Sequence, residues 1–69
     1  MNALEISLNG RHVATLAPTL GTLLQEQGYD LGAAMACAIN QEFVPRPQWP
    51  QRPLQAGDEV DVITPITGG

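Results

Sequence analysis

Ala3-Leu4-Glu5-Ile6-Ser7-Leu8-Asn9-Gly10-Arg11-His12-Val13-Ala14-Thr15-Leu16 is the stretch on which the fold turns, because two alternating runs meet at a tight-turn signal. Leu4, Ile6 and Leu8 alternate with Glu5 and Ser7, the period of a strand with one buried face. Asn9-Gly10 follows, and both residues tolerate the positive φ that a type I′ turn demands. Residues 11–16 then return antiparallel, with Val13 inward. Beyond the hairpin, Pro18-Thr19 punctuates the chain, and the Thr19 hydroxyl can cap a helix by accepting from otherwise unpaired amides. Leu20, Leu23 and Leu24 occupy i, i+3 and i+4 and share one face, while Thr22, Gln25 and Glu26 point elsewhere. Gly28 supplies a left-handed stop. Gly21, inside the first turn, weakens the helix by up to about 1 kcal/mol relative to alanine.

The second half is read from shorter signals. Residues 29–35 form a connection with a short helical turn, and Ala36-Cys37-Ala38-Ile39 is a third strand that ends at an Asn40-Gln41 turn into Phe43-Val44. Prolines 45, 47, 50 and 53 each lack an amide donor, which predicts a surface loop without regular helix or interior strand, anchored by Trp49. After a turn at Ala56-Gly57-Asp58, residues 59–64 are a last strand ended by Pro65. Val60 and Val62 share one face and Ile63 lies on the other, the mark of a central strand.

This order calls for an α+β domain: one mixed sheet of four to five strands, covered on one face by one main helix. A β-grasp (ubiquitin-like) arrangement satisfies it, with the first and last strands side by side at the centre. The domain is expected over residues 1–64, with residues 65–69 a flexible tail ending in Gly68-Gly69.

Composition narrows what such a domain can do. A chain of 69 residues is one domain with a thin stability margin, and its 43% hydrophobic content still supports a packed core. The apolar stretches fall far short of the roughly 18 residues needed to cross a bilayer, and the first residues lack the charged and apolar segments of a signal peptide. A cytoplasmic location without membrane contact is expected. A net charge of −4, with Arg11, Arg46 and Arg52 as the only cationic side chains, argues against nucleic-acid binding. The single Cys37 excludes an internal disulfide, and no Cys or His pair stands at metal-ligand spacing.

Side-chain chemistry is correspondingly thin. His12 falls in a surface hairpin with no nucleophile at a recognisable spacing. Asp58, Glu59 and Asp61 read as a solubilising turn and strand rather than as metal ligands. Cys37, flanked by Ala36, Ala38 and Ile39, reads as a buried structural thiol. There is no lysine and no Gly-rich phosphate loop, so no bound cofactor is expected. What remains is the tail. An expression scar or an inert frayed end would also explain two terminal glycines, but the pair follows the last strand directly. From Pro65 to Gly69 the chain spans about 16 Å when extended. Without Cβ atoms the glycine pair can thread a narrow channel, leaving both faces of the terminal carbonyl open. A carboxylate is a poor electrophile, so an external ATP-using enzyme is implied.

The chain resembles the ThiS family of sulfur carriers. The resemblance rests on Asn9-Gly10, Thr19-Leu20-Gly21-Thr22-Leu23-Leu24, Ala38-Ile39-Asn40, Val44-Pro45-Arg46-Pro47-Gln48-Trp49, Gly57-Asp58-Glu59-Val60 and Gly68-Gly69. The Val-Pro-Arg-x-x-Trp run discriminates best, since a glycine tail alone fits several β-grasp families. Residues 47, 50 and 53 make the loop richer in proline than the family pattern. The resemblance implies a protein cosubstrate, not a catalyst. Its Gly69 carboxylate would be adenylated at the expense of ATP by an E1-like, ThiF-type adenylyltransferase. A sulfur donor such as a cysteine desulfurase would then convert it to a thiocarboxylate, and a ThiG-like thiazole synthase would take the sulfur for thiamine biosynthesis. Gly68 would thread the partner's site, and Ile63 and Ile66 would form a docking patch on the sheet face that the helix leaves open. Three rivals stand beside this reading: the small subunit of molybdopterin synthase, a non-catalytic ubiquitin-like interaction module, and a redox role for Cys37.

Overall fold

The computed structural model describes residues 3–65 and shows a sheet of five strands, one α-helix and one 3₁₀-helix. The first hairpin forms as its alternation dictates. Strands β1 (Leu4–Leu8) and β2 (Arg11–Thr15) pair antiparallel with Leu8 opposite Arg11. Asn9 and Gly10 take φ of 51° and 81° in the turn. Leu16, expected to close β2, instead lies beyond it and is exposed, because the buried Thr15 turns its hydroxyl to the Ala17 amide at 3.0 Å and ends the pairing.

Helix α1 (Leu20–Glu26) buries Leu20, Leu23 and Leu24 completely. Burying three leucines contributes roughly 1.5–3 kcal/mol each, well above what a seven-residue helix gains from its own propensity. Thr19 caps it, its hydroxyl accepting from the Thr22 amide at 3.3 Å, and the Leu20 amide finds the Arg52 carbonyl at 2.9 Å. At the other end Gly28 takes φ 88° and donates to the Gln25 carbonyl, while Tyr29 donates to the Leu24 carbonyl. These two bonds are a Schellman ending. The connection over residues 29–35 holds turns and bends but no helix; the Asp30 carboxylate accepts from the Gly32 amide at 2.9 Å instead.

Strands β3 (Ala36–Ile39), β4 (Glu42–Val44) and β5 (Glu59–Ile63) complete the sheet in the order β2-β1-β5-β3-β4. β5 lies at the centre, parallel to β1 and antiparallel to β3. Ile6, Leu8, Cys37, Ile39, Val44, Val60 and Val62 point to the helix side and form one core with its leucines and Trp49.

The proline-rich segment departs from expectation. Arg46–Gln51 form a 3₁₀-helix, η1, across Pro47 and Pro50. Pro47 falls in the first turn, where an amide has no partner within the helix, and Pro45 accepts from the Gln48 amide at 2.9 Å. Trp49 anchors the segment as read: it is 3% exposed and its indole N–H donates to the Val44 carbonyl at 2.9 Å. Arg46 lies over the Trp49 ring at 4.5 Å and donates to the carbonyls of Leu31 and Ala33. The Val-Pro-Arg-x-x-Trp run therefore packs one loop and ties down another.

Asp58 also differs from its solubilising reading. It is 7% exposed, and its carboxylate accepts from the Gln55 amide at 2.8 Å and from Asn40 Nδ2 at 3.1 Å. The side chain closes the turn before β5, because a buried carboxylate requires such donors.

Candidate functional site

The end of β5 is where the fold presents the chain's last residues. Val60 and Val62 lock the strand into the core, and it is flanked by β1 on one side and β3 on the other. Beside Val62 the β1 backbone has already turned away, and the Val62 amide donates to Asn9 Oδ1 at 2.7 Å. Thr64 and Pro65 follow on the surface. Ile66, Gly68 and Gly69 lie outside the described residues.

Ile63 stands where the docking expectation put it, on the face that α1 leaves open, 64% exposed. Register extends the apolar surface around it. Ile63 pairs with Ala36, and Ala38 lies opposite both Asp61 and Phe43, so these side chains share the open face. Phe43 is 69% exposed there. The sequence reading placed Phe43 in a strand but missed it as part of the surface. Its position next to buried Val44 was the available signal; the cross-strand register that brings it toward Ile63 was not. On the β1 side the same face is polar, carrying Glu5, Ser7 and Glu59, with Ser7 opposite Glu59.

The other candidates resolve into structural roles. His12 is 71% exposed and lies 3.4 Å from Glu5 across the first hairpin, a surface pair of small energetic consequence. Cys37 is buried on the core side of β3, opposite Val44. Burial raises its thiol pKa, and the positive charge of Arg46 opposes that only in part. A thiol so placed is held protonated and unreactive. Among the described residues no helix is long and apolar enough to cross a membrane.

A mixed five-stranded sheet wrapped on one helix, with its first and last strands adjacent, is the β-grasp architecture. The model of the ThiS family matches residues 2–69, and the chain belongs to that family. It is similar to the Sulfur carrier protein ThiS of Escherichia coli (strain K12), 46% identical over 46 residues that cover 67% of this chain and 70% of that protein. Its fold is similar to the crystal structure of the thiamine biosynthesis protein (ThiS) from Geobacter metallireducens, with a TM-score of 0.80 and 17% identity. That match covers 96% of this chain and 100% of the other.

Proposed function

We propose that this ThiS-family protein is a sulfur carrier for the thiazole of thiamine, working in the cytoplasm as a cosubstrate, with the carboxylate of Gly69 as its cargo site. The observation that carries the reading is that the family match runs through to Gly69 while the side chains that resemble catalytic groups have structural or surface roles. Oxygen of the Gly69 carboxylate attacks the α-phosphorus of ATP on a ThiF-like adenylyltransferase, expelling pyrophosphate. A persulfide, supplied by a donor system such as a cysteine desulfurase, then displaces AMP to form an acyl disulfide, and a second thiol cleaves its S–S bond, leaving the thiocarboxylate and a disulfide between the two thiol groups. A ThiG-like thiazole synthase consumes that sulfur.

Glycine suits the sulfur step, because attack on the acyl carbon meets no Cβ. Gly68 gives the same freedom one residue back, so the end can enter a narrow site. Docking uses the open sheet face around Ile63 and Phe43. Apolar contact there fixes the body while the terminal residues reach about 16 Å inward.

Intact mass spectrometry after incubation with ATP, a ThiF-like enzyme and a sulfur donor tests the reading. The expected product carries one sulfur in place of one oxygen, and a chain lacking Gly69 carries none. An unchanged mass beside an enzyme active on its own carrier would refute it. Complementation of a thiazole-requiring strain assigns the pathway; rescue of molybdenum-enzyme activity alone would assign the molybdopterin one.

A further inference from the structure

Pairing along β5 continues past the point where the β1 backbone leaves it. Ser7 donates to the Asp58 carbonyl and Asn9 to the Val60 carbonyl, each at 2.9 Å. At the next rung Val62 donates to the side-chain oxygen of Asn9 at 2.7 Å. In a regular parallel ladder a main-chain carbonyl would be the acceptor at such a rung. Asn9 has entered the left-handed region, φ 51°, and its amide oxygen takes the place of a carbonyl that has turned away. Few residues both tolerate that conformation and carry an acceptor on so short a stem.

A second asparagine provides an internal control. Asn40, φ 53°, stands at the opposite end of β5, where its Oδ1 accepts from the Glu59 amide at 3.0 Å. Each end of the central strand is thus held by a turn asparagine. Only the Asn9 bond lies at the end from which the chain continues to Gly69.

This inference rests on the carrier reading, in which a short terminal segment must deliver a carboxylate into a partner's site. A segment of such reach takes its direction from the last residues the sheet holds. The geometry points to Asn9 as a positioning residue for the C-terminal segment: on the side that β1 has left it holds Val62, opposite the β3 pairings of Val62 with Cys37 and of Ile63 with Ala36, and so fixes the course of β5 as the chain leaves the sheet. Asn9 acts through β5 and does not touch the reacting group.

The test compares wild type with Asn9→Gly, Asn9→Asp and Asn40→Gly in steady-state adenylation by a ThiF-like enzyme, alongside hydrogen exchange at the Val62 amide. Asn9→Gly keeps the turn but removes the acceptor. It is expected to speed Val62 exchange and lower kcat about tenfold, leaving KM within about twofold, because a misdirected reacting group costs rate rather than docking. Asn9→Asp retains an acceptor and restores kcat. Asn40→Gly lowers stability without moving kcat. Unchanged kcat in Asn9→Gly, or an equal loss in Asn40→Gly, overturns the assignment while leaving the carrier reading intact. Wild type that is not adenylated by an enzyme active on its own carrier overturns both.

Discussion

The turns at Asn9-Gly10 and Asn40-Gln41 share a backbone form but are held by different means. Both pairs take positive φ, 51° and 81° in the first, 53° and 68° in the second. In the first turn glycine accepts the left-handed region without strain, so the turn's own backbone form does not depend on the bonds that Asn9 also makes to Val60 and Val62 of β5. In the second, Gln41 pays a conformational penalty, and the turn is held by contacts with a remote part of the chain. The Asn40 amide donates to the Glu59 carbonyl at 2.8 Å, and its side chain bonds the Glu59 amide and Asp58. The structure beyond the second turn continues this dependence: β4 leads into η1, whose hold on the core is Trp49. A turn written in its own residues survives perturbation elsewhere, whereas a turn held by tertiary bonds should fail with them.

The largest test of that contrast is Trp49→Ala. Emptying a buried tryptophan site costs about 3–5 kcal/mol, a large part of what so small a domain possesses. The expected outcome is a steep fall in the urea midpoint, followed by circular dichroism because Trp49 is the only tryptophan. Amide exchange should rise most in β3, β4 and η1; uniform exchange through the first hairpin would break the distinction.

Asp58→Ala comes next. It strands the Gln55 amide and Asn40 Nδ2, and losing hydrogen bonds to a charged group should cost about 2 kcal/mol by chemical denaturation. A cost near zero would return Asp58 to its solubilising reading.

Paired substitutions in the turns sharpen the comparison through their sign. Gly10→Ala forces a side chain into φ 81° and should destabilise by about 1 kcal/mol, whereas Gln41→Gly relieves φ 68° and should stabilise by about as much. Thermal melts of the two variants should move in opposite directions. Shifts of the same sign would show that the turns do not differ as described.

The smallest effect is a pH dependence from Cys37. Burial raises its folded-state pKa, so the folded protein retains a proton that the unfolded chain gives up. That contribution is fully present below the ordinary thiol value of about 8.5 and is lost as pH rises through it toward the raised folded value. A Cys37→Ala variant should lack this alkaline loss in denaturant titrations; an identical pH profile would place the loss elsewhere.

Much of the fold was legible because its signals are local. The alternation of Leu4, Ile6 and Leu8, the Asn9-Gly10 turn, the Thr19 cap and the Leu20, Leu23 and Leu24 stripe each lie within one element. The central position of β5 was also readable, since Ile63 adds an apolar residue to the face opposite Val60 and Val62. The proline-rich segment misled because the missing amides of Pro47 and Pro50 weigh against helix in general, while a short 3₁₀-turn tolerates them. Asp58 misled because its donors come from Gln55 and from Asn40, a residue on another strand's turn.

By itself the sequence determined the order of the strands and α1 and their buried faces, leaving the terminal glycines as the proposed cargo site. Those properties follow from residue type and spacing. Only the tertiary structure decided what lies across the gaps in sequence: Phe43 sharing a face with Ile63, Asn9 completing the ladder at Val62, and the reason for Gly21. In the sequence Gly21 is a local cost to the helix. In the fold, a Cβ there would stand 3.3 Å from the backbone of Trp49 and Pro50, so glycine lets α1 and η1 approach. Propensity is a property of one segment, but close approach belongs to two, and nothing in either segment alone encodes the distance between them.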